Sequence, residues 1–139
     1  MSNFHLKIVS PDGVFFDGEA KQLSIRSIDG EIAILKGHIP FLTAVSVGEC
    51  RVYTEDGEAP KCAACCGGML NVSESEVLLA PTTFEWGEDI DLERAEAAKA
   101  SSETRLESTL SDADKKIAKR KLERAKIRIS VAKKVKGDR

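Results

Sequence analysis

The sequence predicts an α+β chain: short antiparallel strands closed into a sandwich or flattened barrel over residues 1–87, then a two-helix antiparallel hairpin over 88–139. Three observations predict it. Residues 1–87 hold nine of the ten glycines, all four prolines and every aromatic, whereas 88–139 contain no proline and draw their apolar groups mostly from Ala, Leu and Ile. The front carries six Lys/Arg against twelve Asp/Glu and the back fifteen against eleven, so the net charge of −2 conceals −6 followed by +4. The apolar period also changes, from two in the front to alternating threes and fours in the back.

The strands follow in order. Phe4, Leu6 and Ile8 alternate before the turn Pro11-Asp12-Gly13, and Leu23 and Ile25 precede Asp29-Gly30. Ile32 to Leu35 is an apolar run stopped by Lys36-Gly37-His38-Ile39-Pro40. Phe41 to Val47, Cys50 to Tyr53, Cys62 to Cys66, Met69 to Val72 and Val77 to Ala80 follow, punctuated by Gly48, Asp56-Gly57, Gly67-Gly68 and a Ser-Glu stretch. Many short strands at this spacing are the pattern of small all-β domains.

The helices come next. Ala118, Leu122, Ala125, Ile129 and Ala132 step by four, three, four and three, a narrow seam along one helical face with Ile127 and Val131 beside it. The first helix has a poorer stripe of Leu92, Ala95, Ser102, Leu106 and Leu110, with Lys99 inside it. Ser111-Asp112-Ala113-Asp114 reads as a capping box with Asp in place of Glu, which licenses a break and a restart. An Ala seam removes little apolar surface from water at roughly 25 cal/mol per Å². Two such helices dock marginally, so they are predicted to separate and find other partners.

Folding this hairpin gathers charge. If the chain reverses near Ser111, Arg94 and Arg128 stand at one height, with Arg124 one turn away and Asp91 as the nearest carboxylate. Forked guanidinium donors with surplus positive charge suit phosphate. The plain alternative is a solvated basic face with Glu93 and Glu96 as intrahelical partners.

Other chemistry is excluded in turn. Cys50, Cys62, Cys65 and Cys66 lie in apolar strand-like sequence without a second CxxC, so they read as small buried hydrophobes and no metal site is predicted. His38 has no nucleophile or second base at a catalytic spacing, and no catalytic residue is assigned. Gly67 and Gly68 read as a strand turn or close sheet packing. The opening MSNFHLKIVS lacks the basic and apolar regions of a signal peptide, and no apolar run approaches ~18 residues, so a soluble, cytosolic chain without membrane insertion is expected. From Asp112 onward twelve Lys/Arg face four Asp/Glu, a surplus that either meets an acidic neighbour or serves as a solubilising surface. Nucleic acid is disfavoured by the lack of interleaved aromatics and by the acidic front half.

The blocks Gly30-Glu31-Ile32-Ala33-Ile34-Leu35-Lys36-Gly37-His38-Ile39-Pro40, Gly67-Gly68-Met69-Leu70-Asn71-Val72 and Asp89-Ile90-Asp91-Leu92-Glu93-Arg94-Ala95 closely resemble the epsilon subunit of bacterial F-type ATP synthases. The resemblance runs from about His5 to Ala132, with Ile32-Ala33 where Leu-Gly is usual. It implies an N-terminal β-sandwich of about ten strands and a C-terminal helical hairpin, in a non-catalytic rotor subunit. The partners it implies are the gamma subunit, the ring of c subunits and the alpha and beta subunits, at the cytoplasmic face of the cell membrane through the whole complex. It implies a hairpin that inhibits ATP hydrolysis when extended. A free-standing nucleotide-sensing or interaction module is the alternative, and co-purification with gamma separates the two.

The same resemblance implies site residues. Some bacterial members bind ATP as a regulatory ligand, no cofactor being required, through an I/L-D-x-x-R-A motif and late arginines. Glu85, Ile90, Asp91, Arg94, Ala95, Arg124 and Arg128 match, and Ser101 departs from a further arginine. Glu31 and His38 are implied at the c-ring and gamma interface. Lys119, Arg120 and Lys121 are taken as the contact with an acidic loop of a beta subunit.

Overall fold

The computed structural model describes residues 3–55, 58–108 and 111–136. Two compact units emerge, Met1–Glu85 and Trp86–Arg139.

The first unit is a β-sandwich of eight strands, among the described residues, where the resemblance implies about ten. They are β1 (Phe4–Ser10), β2 (Gly13–Ala20), β3 (Gln22–Ser27), β4 (Gly30–Ile34), β5 (Phe41–Ala44), β6 (Val47–Tyr53), β7 (Lys61–Val72) and β8 (Val77–Trp86). The strand order is β2-β1-β8-β7-β6-β3-β4, with β5 also pairing β7. The core is the inward set of these strands: Leu6, Ile8, Leu23, Ile34, Leu70 and Leu79 are fully buried. All four cysteines are free and buried, as small apolar groups of that core.

Four features depart from the expected strands. β2 has no clean alternation because it is an edge strand, and the polar residues that hide it in the sequence protect a sheet edge from pairing with other chains. β7 runs straight through Gly67-Gly68. Phe41↔Val72, Ala44↔Met69, Val47↔Cys66 and Val52↔Lys61 all belong to one register, so β5 and β6 are two parts of one long strand beside β7, interrupted at Val45-Ser46 opposite the two glycines. β8 continues through Pro81 to Trp86; its parallel pairing with β1 covers only Val77 to Leu79, and the proline comes after it. That β1–β8 pair is parallel, whereas β1–β2, β3–β4, β3–β6, β5–β7 and β6–β7 are antiparallel.

The second unit begins with a 3₁₀ turn at Gly87–Asp89, followed by α1 (Leu92–Glu107) and α2 (Asp112–Val135). Asp91 caps α1, accepting the Arg94 N–H at 3.1 Å. Ser111 caps α2, accepting the Asp114 N–H at 3.2 Å, one of the two bonds of a capping box. The helices pack on small residues, burying Ala95 and Ser102 of α1 and Ala118, Ala125, Val131 and Ala132 of α2. Leu122 and Ile129 of the expected seam are half-buried, and Leu110 lies outside the described residues.

Candidate functional site

Ile90, Asp91, Arg94 and Ala95 form one continuous entry to α1, shaped by the cap. Ile90 is buried, and its carbonyl accepts from the Lys136 ammonium at the far end of α2. Asp91 gives one carboxylate oxygen to the Arg94 N–H, so its second oxygen remains for another donor. Ala95 is buried on the seam, which leaves Arg94 beside it on the exposed rim. On α2 the buried Ala125 plays the same part between Arg124 and Arg128, both half-buried. Arg124 and Arg128 are four residues apart and share a helix face.

The end of α1 is capped by Ser108 and the start of α2 by Ser111, so levels along the two helices are counted from these caps. The level of Arg94 therefore falls at Ala125 and not at Arg128. At ~1.5 Å per residue the Arg124 and Arg128 Cα atoms lie within about 5 Å of that level, on either side of it. By helix rise the three arginine Cα atoms lie toward one end of the hairpin, and among the described residues neither Arg94 nor Arg124 has an ion pair. Glu85, half-buried near the end of β8, belongs to the sandwich unit. Ser101 is exposed on α1, one residue before the buried Ser102.

The remaining assigned residues sit apart. Lys119, Arg120 and Lys121 are exposed on α2, and at ~100° per residue they fan around the helix from the buried Ala118 without forming a single face. Glu31 lies on β4 opposite Arg26 and pairs with Arg51 at 3.6 Å. His38 is in the β4–β5 loop, its Nδ1–H donating to the Ile39 carbonyl at 3.1 Å and its ring 5.1 Å from Phe41. No hydrogen bond or ion pair joins Glu31 to His38 among the described residues.

His38 also lines an open cleft of about 620 Å³ in the sandwich, with His5, Glu19, Lys36, Glu74 and Glu76. His5 was absent from the sequence reading. Its Nε2 is 2.7 Å from Asp17 and its Nδ1 3.3 Å from Glu19, both on β2. Partial desolvation lowers the imidazole pKa, but hydrogen bonds to Glu19 and Asp17 and the charges of Asp17 and Glu76 outweigh it, leaving a net rise. The available signal was the position of His5 between Phe4 and Leu6, on the polar face of β1. Its partners were invisible because β2 itself was.

Burial favours the neutral thiol at two of the cysteines. Burial, then the neighbouring Cys65 and Cys62, push Cys50 well up, and burial followed by Cys66 pushes Cys65 up to about 12. Among the described residues no cluster of His, Cys, Asp or Glu is arranged to hold a metal ion. The helical unit thus carries Arg94, Arg124 and Arg128 near the helix ends, with the Asp91 cap beside Arg94.

Residues 3–87 match the ATP synthase delta/epsilon chain β-sandwich domain, and residues 88–133 match the long α-helix domain of the same chain. The ATP synthase epsilon chain of Ruminococcus albus is 38% identical over 135 residues, covering 96% of this chain and 99% of that one. That of Bacillus velezensis is 37% identical, covering 95% and 98%. Among solved structures, a chain of the Euglena gracilis mitochondrial ATP synthase matches with a TM-score of 0.79 at 20% identity, over 91% of this chain and 79% of that one. A chain of the Tetrahymena thermophila central stalk and c-ring matches with a TM-score of 0.68 at 10% identity, over 94% and 97%. Both structural likenesses speak to the fold.

Proposed function

The chain belongs to the ATP synthase delta/epsilon family, and from that premise we propose that it couples ion-driven rotation to ATP synthesis while its hairpin restrains ATP hydrolysis under the control of ATP. It is a non-catalytic central-stalk subunit of an F-type ATP synthase. The sandwich is the rotor-binding part: exposed Ile28, Leu42 and Met69 with the half-buried Ala44 give it an apolar strip, tied together by the Ile28 N–H bond to the Ala44 carbonyl and the Ala44↔Met69 pairing. Gamma and the c ring are the partners that such a strip, with Glu31 and His38, serves. No helix among the described residues is long and apolar enough to cross a membrane, so attachment at the cytoplasmic face of the cell membrane runs through the other subunits.

One observation carries the regulatory reading: the hairpin is closed over an Ala seam, with Arg94, Arg124 and Arg128 at its open end. A polyphosphate there would meet guanidiniums from both helices at once, so it favours the closed form. An open hairpin carries the basic α2, with the already exposed Lys119, Arg120 and Lys121, toward an acidic surface of the alpha/beta ring. Calorimetric titration of the chain with MgATP tests the receptor, with Arg128→Ala as the control; a charge-assisted hydrogen bond of roughly 1.5–3 kcal/mol predicts about tenfold or more weaker binding. No heat with millimolar MgATP, and none with Ser101→Arg, overturns nucleotide control.

A further inference from the structure

Gly87 is the single described glycine of the helical unit, and its backbone is not among those with positive φ. Conformational freedom therefore does not explain it. Space does: a Cβ at Gly87 would lie 2.5 Å from Val135 Cγ2, 3.0 Å from Val135 Cβ and 3.0 Å from Val131 Cγ1. Val131 and Val135 are one turn apart on the same face of α2, and β-branched side chains in a helix have a single favoured rotamer, so neither can swing aside. One residue beyond them Lys136 donates to the Ile90 carbonyl, immediately after the 3₁₀ turn.

We propose that Gly87, Val131, Val135 and Lys136 form a latch that holds the hairpin shut at its open end. Elsewhere the two helices meet through Ala95, Ser102, Ala118, Ala125 and Ala132, small groups that contribute little apolar burial each. The latch is where branched side chains and an ammonium close on backbone. Opening begins there, because the other end is joined covalently. Arg128 is one turn before Ala132, so the latch and the anion receptor share an end of α2, and an anion that draws Arg124 and Arg128 inward reinforces the same closure. This deepens the proposed regulation and rests on that reading for its consequence, but not for its geometry.

Spin labels on Glu93→Cys and Lys133→Cys, both exposed positions, report the separation of the helix ends in the full chain. The parent is expected to give one short distance. Gly87→Ala should add a longer one, raising the open population about tenfold, as overpacking a closed contact does. Lys136→Met should raise it by less. Val135→Ala introduced into Gly87→Ala should recover part of the short distance, because it removes the 2.5 Å approach of Cγ2 while Val135 Cβ and Val131 Cγ1 stay at 3.0 Å. A parent-like distribution in Gly87→Ala, or no recovery in the double variant, overturns the latch. If the distances shift as expected but ATP hydrolysis by the assembled complex does not change, the latch stands and the inhibitory role of the open hairpin falls.

Discussion

The imidazole of His5 reaches diagonally across the β1–β2 pair to Asp17, at 2.7 Å, while Glu19 lies directly opposite it in the register. One ring thus ties the edge strand at two points, with Glu76 acting from the turn before β8 and Lys7 next along the same face of β1. The folded pKa of His5 is raised, so its contribution is fully present below the ordinary value near 6.5 and is lost as pH rises through the higher folded value. Chemical denaturation of the full chain between about pH 5.5 and 8.5 should show the midpoint falling with pH. In His5→Gln that part of the slope should disappear. Parallel pH profiles for the two proteins would show that the ring contributes no linkage.

Gly68 is required for two separate reasons. Its φ is +111°, and a Cβ there would stand 2.3 Å from the Ala80 carbonyl oxygen and 2.6 Å from Pro81 Cα. Backbone cannot move aside as a flexible side chain does, so Gly68→Ala should cost about 3 kcal/mol or more. Gly18→Ala is the contrast, meeting only Phe16 ring atoms at 3.8 and 3.9 Å, and should change stability by about 0.5 kcal/mol or less. Equal denaturation midpoints for the two variants would contradict this account.

How far the sequence could be read depended on whether a residue's partner was local. The Ser111 cap and the Ala seam were legible because their partners lie three or four residues away, and helical period reports those directly. β2 was not legible, since an edge strand needs no apolar alternation. With β2 went the His5 clasp, whose partners stand twelve and fourteen residues off. Gly67-Gly68 left a strand turn and close sheet packing both open, since glycine serves either, and the approach of Ala80 and Pro81 to Gly68 decides for packing. Gly87 carried no signal: a glycine between Trp86 and Glu88 gives no hint that two valines more than forty residues later need its missing side chain. The arginines could be placed at one end of the hairpin, but their exact level depended on the Ser108–Ser111 break.

The cysteines offer a check on the core. With Cys50 pushed well up and Cys65 up to about 12 by burial, neither supplies thiolate near neutral pH in the folded state. Titration with an aromatic disulfide at pH 8 should find all four thiols unreactive until the chain opens. Opening free energies of a few kcal/mol put that rate on the order of a thousandfold below the unfolded rate. A single fast thiol without denaturant would reopen cysteine chemistry as a function.

Asp91 has two roles that a pair of substitutions separates. Its carboxylate caps α1, a contribution of about 1 kcal/mol that Ser reproduces and Ala does not. Asp91→Ser should therefore keep helix content and thermal midpoint close to the parent, whereas Asp91→Ala should lower both. If the second carboxylate oxygen takes part in nucleotide recognition, Asp91→Ser should still weaken MgATP binding. Parent affinity in Asp91→Ser would confine the residue to capping.

The basic surface of α2 leads to a prediction about salt. Lys119, Arg120 and Lys121 are fully outside the seam, so an acidic partner meets them in water, where screening acts within ~8 Å at physiological ionic strength and over shorter distances above it. Inhibition of ATP hydrolysis by the open hairpin should relax as salt rises. Replacing all three with Glu reverses six units of charge and should abolish the salt dependence along with the inhibition. Because the three fan around the helix, a partner on one side reaches at most two of them closely. Single reversals should therefore be unequal, with one position dispensable, if a single acidic segment is the partner. Three equal effects would point to a groove that surrounds α2. Inhibition that survives the triple reversal would move the contact off this stretch of the helix, leaving Lys126, Lys133 and Lys134 as the cations to reverse next.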